Sequence, residues 1–168
     1  KGQSIRIEVV VERTVELILH CETYRRERGL DKIAYEVGTE EVHGGLADMA
    51  IFNRFLELLS EGLKKHGLND TWPCFVVGKV GTDLHTTLFD PVVARALTSA
   101  AKPYGSKIKG HYSDSVDNPG AYPLSGMGAA NIGPEFTERE YDGLIELTGI
   151  ESVLIHEGRL EKPSGMKE

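Results

Sequence analysis

Four short strand-like runs alternate with helical patterns along this chain, and that order restricts the fold more than any other feature of the sequence. The runs cover residues 33–39, 74–80, 106–111 and 128–132. The second is nearly continuous in apolar residues, as suits a strand covered on both faces. A helix precedes the first run, over residues 9–28, with Val11, Val15, Ile18, Leu19 and Cys21 at helical spacing and Gly29 ending it. A second helix over residues 47–66 carries Ile51, Phe55, Leu58, Leu59 and Leu63 as its stripe and stops at Gly67. Asp90 reads as an N-cap with Pro91 at the first helical position, opening a helix to Ala101. A Pro/Gly-rich connection joins the third and fourth runs, and Thr137 with Glu140 forms a capping box for a last helix to Thr148. From Glu157 the chain is charged and contains Gly, Pro and Ser, so residues 157–168 are expected to form a flexible tail. Strands alternating with helices predict an α/β fold with a parallel sheet.

In parallel sheets the ligand site lies beyond the carboxyl ends of the strands. That is where the polar residues fall. Glu40 and His43, Asp83 and His85, His111 and Asp114, and Asn131 and Glu135 each lie at or just after the end of one run. Histidines and carboxylates on one rim suit a divalent ion, Zn or Mn, acting as a Lewis acid. Asp83, His85 and His111 are the candidate ligands, and Glu40, His111 and Asp114 the candidate catalytic groups. The plainer alternatives are a hydrogen bond between His111 and Asp114 closing a strand-loop corner, and loop capping by Asp83 and His85. Gly126, Gly128 and Gly133 suit either a phosphate cradle, with Asn131 and Glu135 beside it, or tight packing. His20, His66 and His156 read as surface or packing residues, and Tyr112, Tyr122 and Trp72 as packing residues.

Composition excludes several classes. The chain has 168 residues, enough for one domain, and a net charge of −7, the wrong sign for a nucleic-acid footprint. Lys107 and Lys109 are local basic exceptions. No apolar run of membrane-spanning length exists, and the start lacks the layout of a signal peptide, so a cytoplasmic protein without membrane partners is expected. Cys21 and Cys74 have no metal-type spacing and are expected to be buried, reduced thiols. The chain begins at Lys1 and runs almost directly into a helix, which suggests a truncated start.

Three blocks, YEVGTEEVHGG from Tyr35, FVVGKVGTDLHTTLFDP from Phe75, and KGHYSDSVDNPGAYPLSGMGAANIGPEFTEREYDGLIEL from Lys109, carry a family likeness. Together they resemble the accessory subunit of class II D-tagatose-1,6-bisphosphate aldolase, of the GatZ/KbaZ type, and more closely the branch often labelled tagatose-6-phosphate kinase. The resemblance implies the C-terminal half of a TIM (β/α)8 barrel, strands five to eight, with the opening helix following strand four. Of the family's rim residues Glu40, His111 and Asp114 carry over; the family's corresponding strand also ends in His, two residues, then Asp. The implied role is support of a catalytic aldolase subunit by a non-catalytic partner, or self-association, in the catabolism of galactitol or N-acetylgalactosamine, with a sugar phosphate as ligand. Related proteins of this fold are assigned ketose 4-epimerase activity, which implies a metal-dependent enzyme instead. A kinase is not implied, because the chain has neither a Gly-x-x-x-x-Gly-Lys-Ser/Thr loop nor a protein-kinase motif set.

Overall fold

A computed structural model describes residues 5–38, 47–83 and 88–165. It gives the order α1 (Ile7–Glu27), β1 (Glu36–Gly38), α2 (Met49–Lys65), β2 (Phe75–Val77), α3 (Pro91–Ala101), a 3-10 turn (Lys102–Tyr104), β3 (Lys107–Gly110), α4 (Ala121–Leu124), β4 (Ala129–Ala130) and α5 (Pro134–His156). The chain divides into two compact units, Lys1–Asn131 and Ile132–Glu168.

The first unit is an α/β sheet of the kind the alternation predicts. Its four strands lie in the order β1-β2-β3-β4, and every neighbouring pair is parallel. Glu36 stands in register with Phe75, Phe75 with Lys107, and Lys109 with Ala129. The expected strand positions are met, each strand being shorter than its apolar run.

Alternation along the strands divides the sheet into two unlike faces. Val76, Val80 and Ile108 point into the main core with Phe55, Leu56, Leu59, Leu63 and Leu97 from α2 and α3. Glycine permits the closest approach on that face. A Cβ on Gly78 would lie 2.8 Å from the Leu97 Cδ1, and one on Gly110 2.9 Å from the Tyr122 ring. The opposite face carries Glu36, Phe75, Val77, Lys107, Lys109 and Ala129, and neither Phe75 nor Val77 belongs to the main core cluster. A parallel sheet in sequential order, joined by right-handed crossovers, places its helices on one side only.

Side-chain caps fix where α2 and α3 start. The Asp48 carboxylate accepts from the Ala50 and Ile51 amides at 2.8 and 3.1 Å, and Asp90 does the same for Val92 and Val93. The buried stripe of α1 is Val11, Val15, Ile18 and Glu22, so a carboxylate takes the position expected of Cys21. Both cysteines are exposed, contrary to the expectation of buried thiols. Cys21 misses the core because the stripe steps from residue 18 by a full turn of four to residue 22.

In α2 the buried stripe is Phe52, Phe55, Leu56, Leu59 and Leu63, and Ile51 is half exposed. The apolar arc is therefore rotated from the expected one. At Gly62 a Cβ would lie 2.8 Å from the Val15 Cγ2, so a glycine sits where α1 crosses closely. The capping box expected at Thr137 is not formed: α5 starts at Pro134, with Gly133 as its N-cap and no side-chain cap. Pro134 at the first position starts the helix a turn earlier, and the helix runs through Gly149 to His156, past the expected end at Thr148. Beyond α5 the chain turns back, with the Ser164 amide donating to the Glu151 carboxylate at 2.7 Å. No helix among the described residues is long and apolar enough to cross a membrane.

Candidate functional site

Each loop at the carboxyl ends of the strands fastens to the end of the next strand. The Ala47 amide, before α2, donates to the Lys79 carbonyl just after β2. The Thr82 hydroxyl, in the loop after β2, donates to the His111 carbonyl at 2.7 Å. The Ser113 amide, after β3, donates to the Asn131 carbonyl after β4. Three predicted loci thus come together: Asp83 follows the residue that holds His111, and Asn131 receives the residue between His111 and Asp114. Tyr112 and Ser115 have φ of +54° and +53°, a left-handed backbone that side chains rarely adopt, so the corner around Asp114 is tightly turned.

The side chain of His111 turns back over the sheet. Its Nε2 lies 3.3 Å from Glu36 Oε1, and the Lys109 ammonium donates to Glu36 Oε2 at 2.8 Å. Glu36 belongs to β1 and the other two to β3 or its end, so the cluster spans β2 from above. Val77 lies in register between Gly38 and Lys109 on the same face, opposite the main core, and is buried at 5 % exposure. Burial alone raises the pKa of Glu36. The hydrogen bonds from Lys109 and His111 outweigh it, and the carboxyl is held below its ordinary value.

Sequence reasoning missed Glu36, Lys109 and Thr82 as parts of this site. A signal existed in the period of two, which puts Lys107, Lys109 and His111 on one face of β3 and sets Glu36 opposite Val37 in β1. What no local pattern supplies is that Glu36 and Lys109, 73 residues apart, meet across an intervening strand.

The other predicted residues fall as follows. Glu40, His43 and His85 lie outside the described residues. Gly126 has φ of +77° in the turn between α4 and β4, where a Cβ would meet Thr98 at 3.0 Å. A Cβ on Gly128 would lie 2.5 Å from the Lys107 Cβ, so close packing against β3 accounts for this glycine. Glu135 stands in the first turn of α5, in the second unit. Trp72 stacks on Tyr104 and donates to the Ser106 hydroxyl, and Tyr122 stacks on Phe89, both packing roles as expected.

Among the described residues no group of three or more His, Cys, Asp or Glu is arranged to hold a metal ion. The His111–Glu36 pair does not fit a Zn or Mn centre by itself, since the Lys109 ammonium occupies the same carboxylate and repels a cation. The Asp83, His85 and His111 set extends into residues outside the description.

At the opposite end of the strands lies a second cluster. Glu22, 3 % exposed, accepts from Arg25 Nη2 at 2.7 Å and from the Tyr35 hydroxyl at 3.0 Å, with Arg26 Nε at 3.4 Å. Lys32 and Asp70 pair at 2.7 Å beside it, around a pocket of about 260 Å³ that includes space open to solvent. The Arg25 hydrogen bond lowers the Glu22 pKa despite burial, and burial followed by Glu22 pushes the Tyr35 phenol up to about 12. These residues fasten α1 to the chain entering β1 and β2.

No protein-family model, curated protein or solved structure matches the chain.

Proposed function

We propose that these residues form strands five to eight of a (β/α)8 barrel, and that the protein is the non-catalytic accessory subunit of a class II D-tagatose-1,6-bisphosphate aldolase. The family resemblance supplies the identity of the partner. The observation that carries the reading is the meeting of Glu36 with Lys109 and His111 over β2. Inside a barrel the side chains of alternate strands share a layer, and β1 and β3 are alternate strands. The sequential parallel order, with the main core on one face, supports the same architecture. Doubly wound sheets reverse their strand order and carry helices on both faces.

The second reading is a metal-dependent ketose or ketose-phosphate 4-epimerase, favoured by the polar groups that gather at the carboxyl ends of the strands. The two separate in one experiment. The full-length protein is mixed with a class II tagatose-bisphosphate aldolase catalytic subunit, and co-elution and the heat resistance of aldolase activity are measured. Co-elution with prolonged activity is expected. A catalytic subunit equally active and equally stable alone, with no co-elution, overturns the accessory role. Turnover of tagatose 6-phosphate by the protein alone, abolished by chelation, establishes the epimerase instead.

A further inference from the structure

We propose that the outward face of α1 is a docking surface for a second copy of this chain, and that the partner seats its α5 there. The pairing of copies rests on the half-barrel reading, and the surface on the residues of the two helices.

α1 is apolar on two sides. Val11, Val15 and Ile18 are buried in the core with the stripe of α2. Val10, Thr14, Leu17, Cys21 and Tyr24 follow one another in alternating steps of four and three residues, the spacing of a helix–helix seam, and Leu17 is 65 % and Tyr24 49 % exposed. The flank of that line is basic. Arg6, Arg13 and His20 stand seven residues apart beside it, and the Arg28 guanidinium lies over the Tyr24 ring at 4.9 Å. With about 100° between successive residues, Glu8, Glu12 and Glu16 fall farther round the helix. Arg6 reaches Glu8 at 3.5 Å, a contact between exposed side chains and weak for that reason.

α5 has the matching character. Thr148 is its one buried residue, while Phe136, Leu144, Leu147 and Ile150 are exposed. A helix this apolar is ordinarily covered by another element. Phe136, Leu147, Ile150 and Leu154 share one side by the same seam spacing. The helix carries six carboxylates, five of them before Leu147, against the one arginine, Arg139. An acidic, apolar helix thus complements a basic, apolar face. The order of the chain makes the partner a second copy. α1 leads into β1, α5 leaves β4 after Asn131, Ile132 and Gly133, and β1 and β4 are the two outer strands of the sheet. A copy that sets its β1 beside β4 brings its α1 to the start of α5. Helices begun at that level run the same way, with the carboxylates of α5 beside Arg6 and Arg13 and with Leu147 beside Cys21. The same contact at the other pair of edges closes the two copies into a two-fold dimer.

The test is sedimentation equilibrium of the 168-residue chain and of two charge-reversed variants, Arg6→Glu with Arg13→Glu on α1 and Glu140→Lys with Glu146→Lys on α5. The parent is expected to dimerise, and each variant to dimerise about tenfold more weakly, because like charges then face each other across the contact. Mixed together, the two variants are expected to bind each other about as tightly as the parent binds itself, since the mixed pair restores opposite charges at both contacts. A monomeric parent overturns the proposal together with the half-barrel account. Variants that dimerise as the parent does, or a mixture no tighter than either variant alone, overturn the docking face and leave the strand edges as the interface. Should a reversed variant unfold, Leu147→Cys decides: mild oxidation is expected to give a covalent dimer, and Cys21→Ser in the same chain to abolish it. A chain that stays monomeric, or a covalent dimer that survives Cys21→Ser, overturns the assignment.

Discussion

Glu22 shows at the residue scale how a charge can occupy a core position. It continues the stripe of Val11, Val15 and Ile18 and is as buried as they are, yet it stays ionised because Arg25, Tyr35 and Arg26 surround it. Removing the carboxylate leaves Arg25 without its partner. Glu22→Gln is therefore expected to lower stability at neutral pH, measured by chemical denaturation. The pH dependence has a definite sign. The folded-state pKa of Glu22 is depressed, so its contribution is present above the ordinary carboxylate value of about 4 and is lost as pH falls through the folded value. The gap between parent and Glu22→Gln should narrow on acidification, and a constant gap would show that the carboxylate is not what matters.

Tyr35 gives the alkaline counterpart. Its pKa is raised to about 12, so the neutral phenol's contribution is complete below the ordinary value of about 10 and disappears as pH rises through about 12. Tyr35→Phe should remove the last tyrosinate step in an absorbance titration. A titration unchanged in its last step would place that phenol elsewhere.

Elements were legible to different degrees, and the reasons are local. Asp90 with Pro91 announced α3 to the residue, because a cap and its first turn are contiguous in sequence and need no tertiary partner. The start of α5 was misplaced because Thr137 and Glu140 satisfy a pattern that Pro134 pre-empts three residues earlier. The face of α2 was rotated because its sequence is apolar on more than one side, and the tertiary packing of α1, the sheet and α3 against it decides which side is covered. The rim was legible as a set of strand ends. Its chemistry was not, since Glu36 reads as an ordinary solvent-side strand residue until β3 is placed two strands away.

Two glycines turn these arguments into opposite predictions. Gly62→Leu drives atoms into Val15 and should cost about 1–3 kcal/mol, as overpacking does. Gly143, inside α5, has nothing near its missing Cβ, so Gly143→Ala should raise stability by about 0.5–1 kcal/mol through helix propensity. Chemical denaturation of the two variants checks both. A stabilising Gly62→Leu would mean that α1 and α2 do not cross there.

For the whole molecule the decisive feature is asymmetry. The main core lies on one face of the sheet, between strands and helices, and the other face presents Glu36, Phe75, Lys107 and Lys109. Parallel sheets are ordinarily covered on both faces. β1 and β4 each have a strand on one side only, so both outer edges carry N–H and C=O groups without a ladder partner within the sheet. A closed barrel removes both conditions at once, since the open face becomes its packed interior and the edges pair. The half-barrel account thus makes a claim about association. Sedimentation velocity of the 168-residue chain over a range of concentrations tests it most directly: the account predicts a species of twice the 18.5 kDa chain mass or larger that persists on dilution, whereas a well-behaved 18.5 kDa monomer at every concentration would contradict it.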